Sequence, residues 1–256
     1  MSATEAAADS RIDAGSLYVY GLTSSGARGV AGRGIGDAEV ALLEHGELAA
    51  IVSAAGAGPL RAKRRDLLRH SDVLQQAFAH APVLPFRFGT VLSSEDAVNE
   101  LLAGRYEELV ALLQRFEGTS ELRLRATFVE RSVLAEIVQE DPRIAQLRES
   151  TRAAGADDPR RVALGEAVAG ALAAKRALAA DEVVASLAAH ALDVRVEEQR
   201  EELEVVRGSF LVSVRDVRAV ERAAETLAKR HAGRITFDLI GPMPPHSFVS
   251  LADGGR

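Results

Sequence analysis

The chain has 256 residues, 47% of them hydrophobic, a formal net charge of −6, and neither cysteine nor tryptophan. That length suits one large domain or two ordinary ones, and the apolar share can bury a sizeable core. The acidic balance argues against a nucleic-acid surface, the missing thiols exclude disulfides and thiolate metal sites, and no run of about 18 apolar residues is present to span a membrane.

Residues 1–16 carry Glu5, Asp9 and Asp13 without an apolar core, so they read as a disordered tail rather than a signal peptide. With the lack of cysteine, this points to a cytoplasmic protein. Leu17-Tyr18-Val19-Tyr20-Gly21-Leu22 is a short strand. The glycine-dense segment 26–36 follows. Gly32-x-Gly34 lacks a third glycine three positions on, no Lys-Ser or Lys-Thr comes after it, and a strand rather than a helix is next. Neither a dinucleotide fingerprint nor a P-loop is present, and the segment reads as a flexible loop.

Residues 39–43 and 48–52 are strands around a His45-Gly46 turn. A Gly/Ala/Pro hinge at 54–59 leads into a helix over 60–80 with the stripe Leu60, Leu67, Leu74 and Phe78. Arg61, Arg65 and Arg69, with Lys63 and Arg64 nearby, fall on another face: a solvated face by default, a site for an acidic partner otherwise. In Val83-Leu84-Pro85-Phe86-Arg87-Phe88-Gly89-Thr90-Val91-Leu92, an extended chain puts Phe86 and Phe88 on one face and Arg87 on the other, and Pro85 marks an edge or bulge. Arg87 is expected to be partly buried and paired, with Glu95 or Asp96 the nearest acids in sequence. A helix over 95–116 is capped by Ser93 or Ser94 and ended by Gly118.

From residue 121 the alternation is the clearest in the chain. Leu122, Leu124, Ala126 and Phe128 interleave with Arg123, Arg125 and Thr127. A helical excursion over 131–190 follows, broken at Asp141-Pro142 and at 154–159, with Leu164, Val168, Leu172, Ala179 and Val183 on one arc of its main piece, 160–190. Strands at 192–197 and 204–214, a helix at 217–231 with Gly233 as C-cap, and a strand through Ile235, Phe237 and Leu239 complete a βαββαβ order. In the third of these strands Phe210, Val212 and Val214 share a face, and the positions where an RNA-binding sheet would carry stacking rings hold Ser209 and Leu211.

No metal-ligand spacing links the six histidines, and there is no HExxH or Gly-x-Ser-x-Gly. No catalytic, cofactor or metal residues are assigned. The fold class is α+β in two domains: a mixed α+β unit over 17–118, and over 119–256 a ferredoxin-like domain with an enlarged helical insertion and a proline-rich close. The runner-up to the functional reading below is a ferredoxin-like regulatory module that binds a small ligand.

Three passages resemble the GvpF/GvpL family of gas vesicle proteins: the opening strand with Tyr18, Tyr20 and Gly21; Pro85-Phe86-Arg87-Phe88-Gly89-Thr90 between two helices; and the close Gly241-Pro242-Met243-Pro244-Pro245-His246-Ser247-Phe248. Met243 and His246 stand at two positions of the close that are aromatic in the family pattern. The resemblance covers about residues 17–250 and implies a non-enzymatic accessory or minor structural protein of gas vesicle assembly. Its partners would be the shell protein and other gas vesicle proteins, its place the cytoplasm and the vesicle, and its interaction candidates the motif residues just named. The prolines of the close, which fix φ and lower the entropy lost on ordering, suit it either to brace the domains or to cap the last strand.

Overall fold

A computed structural model describes residues 15–56, 62–152, 155 and 158–249. The expected tail up to residue 14, the hinge residues 57–59, Leu60 and Arg61, and positions 154, 156 and 157 of the expected helix break lie outside the described residues. Ser16, the last residue of the expected tail, already accepts the Ala55 N–H at 2.8 Å. The fold is α+β, with a five-stranded and a four-stranded antiparallel sheet among the described residues.

The described residues form two compact units: those up to Thr119 with those from Met243 onward, and those within Ser120–Pro242. The sequence division gave the whole close to the second domain. Met243 to Phe248 instead belong to the first unit, where Phe248 is buried and His246 is near enough to His70 to act on its charge.

In the first unit β1 (Leu17–Ser24) is the inner strand. It lies beside β3 (Leu48–Ala54), which forms a hairpin with β2 (Val40–His45) through Gly46 at φ +61. The other edge of β1 takes two short strands, β4 (Val83–Pro85) against residues 21–23 and β5 (Val91–Leu92) against residues 17–18. Helix α1 (Arg64–Phe78) buries Asp66, His70, Val73, Leu74 and Ala77, one arc at i, i+4, i+7, i+8 and i+11. The expected stripe is thus rotated: Leu67 is 43% exposed because the arc toward the sheet is centred on His70. The single helix expected over 95–116 is two, α2 (Glu95–Gly104) and α3 (Tyr106–Phe116), hinged at Arg105, whose φ of −131 is not helical. Ser94 caps α2 by accepting the Ala97 N–H at 3.2 Å.

In the second unit β6 (Thr119–Phe128) is followed by α4 (Glu130–Glu140), α5 (Pro142–Thr151) and α6 (Pro159–Ala188). Then come β7 (Asp193–Val196), β8 (Glu204–Ser213), α7 (Val217–Arg230) and β9 (Ile235–Met243), in the sheet order β7-β8-β6-β9. Asp141 and Asp158 cap α5 and α6, each with Pro in the first turn, which explains both helix starts. Phe128, Val194, Phe210 and Phe237 join one apolar cluster with Val133, Ile137, Leu172, Val183, Val220 and Leu227 of the helices. Two expectations for β8 fail. The strand ends at Ser213, so Val214 turns out to 56% exposure in a 3-10 turn, and Ser209 and Leu211 are buried rather than on an open face.

Candidate functional site

The opening strand and the Pro85–Thr90 segment meet in the first unit around α1. Tyr18 and Tyr20 project from one face of β1, rings 4.7 Å apart and both side chains fully buried. The register shift between Val19 and Gly21 makes Tyr20 the extra residue of a bulge, which re-aims its ring. His70 stacks on Tyr20 at 5.6 Å and meets Tyr18 and Phe88 edge-on at 5.7 Å each.

Every polar tip in this aromatic cluster has a partner. Tyr18 Oη accepts the Gly89 N–H at 3.0 Å and lies 2.8 Å from His70 Nδ1. His70 also bonds the Phe86 backbone in the sense that favours the charged ring, so its N–H goes to a carbonyl and Nδ1 is left to accept from Tyr18. Tyr20 Oη accepts the Ile35 N–H at 2.8 Å and pairs with Ser53 Oγ at 3.0 Å. Burial pushes Tyr18 up to about 12 and raises Tyr20 as well. Burial first, and the nearby His246 second, lower His70 to about 4, so its imidazole is neutral at physiological pH. Buried neutral rings with satisfied hydrogen bonds make a clamp; they offer no activated nucleophile and no paired carboxylates.

The glycines are set by space and dihedral. A Cβ on Gly21 would stand 2.6 Å from the Leu84 carbonyl oxygen, in the backbone of β4. Gly89 at φ +94 turns its N–H toward Tyr18. The glycine-dense segment is not simply a flexible loop: Gly34 is buried against the Tyr20 hydroxyl and Ile35 donates to it.

Arg87 departs from expectation in its burial. The strand stops at Pro85, and residues 87–90 turn, with Thr90 N–H and Oγ1 both donating to the Arg87 carbonyl at 3.3 and 2.8 Å. The side chain is therefore exposed rather than partly buried, while Phe86 and Phe88 are half-buried. Of the basic cluster, Arg65 and Arg69 line a cleft of about 270 Å³ with Asp66 and residues 34–37.

The close is divided. Gly241 and Pro242 end the second unit, and a Cβ on Gly241 would stand 2.7 Å from the Glu121 carbonyl oxygen. Pro244, Pro245 and Phe248 lie in the first unit, in a turn where Phe248 N–H donates to the Pro245 carbonyl at 3.0 Å. Sequence reasoning missed His70, Ser53 and Ile35 as members of the cluster. The one local signal was the polar His70 set on the arc of Val73, Leu74 and Ala77. Among the described residues no group of His, Asp or Glu could hold a metal ion, and no helix is long and apolar enough to cross a membrane.

A family model described as gas vesicle synthesis protein GvpL/GvpF matches residues 16–250. Gas vesicle protein F of Streptomyces sp. (strain CB03234) is 36% identical over 244 residues, covering 91% of this chain and 99% of that protein. Gas vesicle protein L of the same organism is 32% identical over 118 residues, covering 41% and 44%. The crystal structure of GvpF from Anabaena sp. PCC7120 superposes with a TM-score of 0.81 at 19% identity, over 93% of this chain and all of that one. That of GvpF from Microcystis aeruginosa gives 0.76 at 18% identity, over 92% and 99%; at these identities the structures speak for the fold.

Proposed function

The chain belongs to the GvpL/GvpF family of gas vesicle synthesis proteins, and from that premise we propose that it is a non-enzymatic accessory or minor structural protein of gas vesicle assembly. It acts through protein–protein contacts with the shell protein and other gas vesicle proteins and is localised with the vesicle in the cytoplasm. The observation that carries this reading is the family match across residues 16–250.

The geometry refines it. Tyr18, Tyr20, Gly21 and Pro85 are buried and serve as framework, whereas Arg87 stands exposed on the turn they anchor. That exposure supports Arg87 and the half-buried edges of Phe86 and Phe88 as the contact with a partner. The test is deletion of the gene in its host and electron microscopy of the cells. Lost, fewer or misshapen vesicles are expected; normal number and shape in a strain with no second family member overturns the proposal.

A second reading, the regulatory module with a small ligand, draws support from a cleft of about 750 Å³ in the second unit, lined by Arg123, Arg125, Arg200 and Arg207. Those cations are already matched: Glu204 accepts from Arg125 and Arg207 at 3.1 and 2.6 Å, Glu121 from Arg123 at 2.6 Å, and Glu197 from Arg200 at 3.3 Å. An anionic ligand would have to displace carboxylates. A melting temperature unmoved by nucleotides and inorganic phosphate is the result expected from the first reading, and a rise of several degrees would favour the second.

A further inference from the structure

The strand β7 ends its sheet: one edge lies on β8, and among the described residues no strand pairs with the other. Its register sets Asp193 opposite Leu211, Val194 opposite Phe210, Arg195 opposite Ser209 and Val196 opposite Gly208. Glu197 donates its N–H to the Arg207 carbonyl at 2.9 Å, so by alternation residues 193, 195 and 197 turn their backbone groups toward β8. Val194 and Val196 turn theirs outward, whereas the Leu192 N–H is taken by the Leu211 carbonyl at 2.7 Å and is not offered to a further strand. The apolar side chains along this strand are also uncovered for their size, with Leu192 64% and Val196 56% exposed. The opposite edge strand, β9, carries Pro242 next to its last residue, where proline removes a donor.

We propose that β7 pairs antiparallel with β7 of a second copy of this chain, centred on Val194, joining two four-stranded sheets into one. The sequence Leu192-Asp193-Val194-Arg195-Val196 is complementary to its own reverse in that register. Val194 meets Val194, each Leu192 meets a Val196, and each Asp193 meets an Arg195, so apolar pairs occupy one face and opposite charges the other. Moving the centre to Arg195 sets Arg195 on Arg195 and Asp193 on Glu197. A parallel in-register arrangement also stacks like charges. Centring on Val196 pairs Arg195 with Glu197 but sets Val194 on Glu198, so only the Val194 register matches every apolar and every charged residue of 192–196, and that self-complementarity singles out a second copy as the occupant. In the isolated chain the outward N–H of Val194 is held by its neighbour's Asp193 Oδ1 at 2.8 Å. Pairing hands that N–H to the Val194 carbonyl of the second copy and turns the carboxylate to Arg195 of the second copy. A strand of four residues makes a small interface, so the dimer is transient and concentration-dependent.

Sedimentation velocity of the full chain from about 1 μM to several hundred μM tests the association. Monomer–dimer exchange is expected. Asp193→Arg or Arg195→Asp, each of which creates two like-charge contacts, should weaken it about tenfold or more, and the double exchange D193R/R195D should restore it to within about threefold. The register has its own test, because the chain contains no cysteine. Val194→Cys places two thiols across the two-fold axis at a Cα separation of about 5.5 Å, inside the disulfide range, and should cross-link on mild oxidation. Val196→Cys, which faces Leu192, should cross-link at least tenfold less. A chain that stays monomeric throughout the range, a dimer indifferent to the charge reversals, or equal cross-linking of the two cysteine variants overturns the proposal. So does finding that β7 pairs only with a different protein.

Discussion

In the aromatic cluster of the first unit the polar groups are two phenols, an imidazole and a serine hydroxyl, neutral and joined by hydrogen bonds of 2.8 to 3.0 Å. In the second, the core proper is aliphatic and phenylalanine, and charge is arranged around it as ion pairs. Glu136 takes Arg234 at 2.7 Å and Lys175 at 2.6 Å, tying α4 to α6 and to the turn after α7, and Glu204 holds Arg125 and Arg207. A neutral hydrogen-bonded cluster loses a partner outright when one group is changed, whereas a multidentate ion network redistributes. Two of the three passages that resemble the family, the opening strand and Pro85–Thr90, lie in the first unit, where residues far apart in sequence must each be right.

The largest expected effect tests this contrast by steric means. Gly21→Val drives a side chain into the Leu84 carbonyl of a paired strand, which cannot yield as a side-chain tip would. It should destabilise the first unit by about 3 kcal/mol or more. Hydrogen exchange read on peptides from each unit should show faster exchange over residues 17–119 and little change over 120–242.

Acid separates the units next. His70 titrates at about 4 when folded and near its ordinary value of 6.5 when unfolded, so below 6.5 the unfolded chain binds the extra proton. The first unit is then fully stabilised above pH 6.5 and loses up to about 3 kcal/mol as the pH falls through 4. Unfolding measured between these limits should show that slope, and His70→Gln should flatten it. The second unit responds lower. Hydrogen bonding to Arg234, with Lys175 adding to it, holds Glu136 at about 2, so its contribution is present above the ordinary carboxylate value and is lost as the pH falls toward 2. Glu136→Gln should weaken the second unit by about 1 to 2 kcal/mol at neutral pH, seen as a lower denaturation midpoint, and leave the slope of the first unit unchanged.

How much of this was legible in the sequence follows the range of the interactions. The alternation of Leu122, Leu124, Ala126 and Phe128 is local, and β6 forms there; Asp141-Pro142 announces the start of α5 by the same local chemistry. The break at Arg105 was hidden because the apolar period of Val98, Leu102, Leu109 and Leu113 runs straight across it. Arg87 was misplaced because strand geometry was extended past Pro85, where Thr90 and Gly89 close a turn. His70 could not be assigned at all: its partner Tyr18 is 52 residues away, and no local pattern encodes that distance.

The central claim is that the buried motif residues build the first unit while the exposed turn they hold makes the contact with gas vesicle proteins. Complementing the deletion strain with Arg87→Ala, with the melting temperature of the purified variant measured alongside vesicle counts by electron microscopy, tests it most directly. The account predicts a melting temperature within about 2 °C of the parent, as expected for an exposed side chain, together with lost or sharply reduced vesicles. Full vesicle counts with Arg87→Ala, or a loss of vesicles traced to an unfolded first unit, would contradict it.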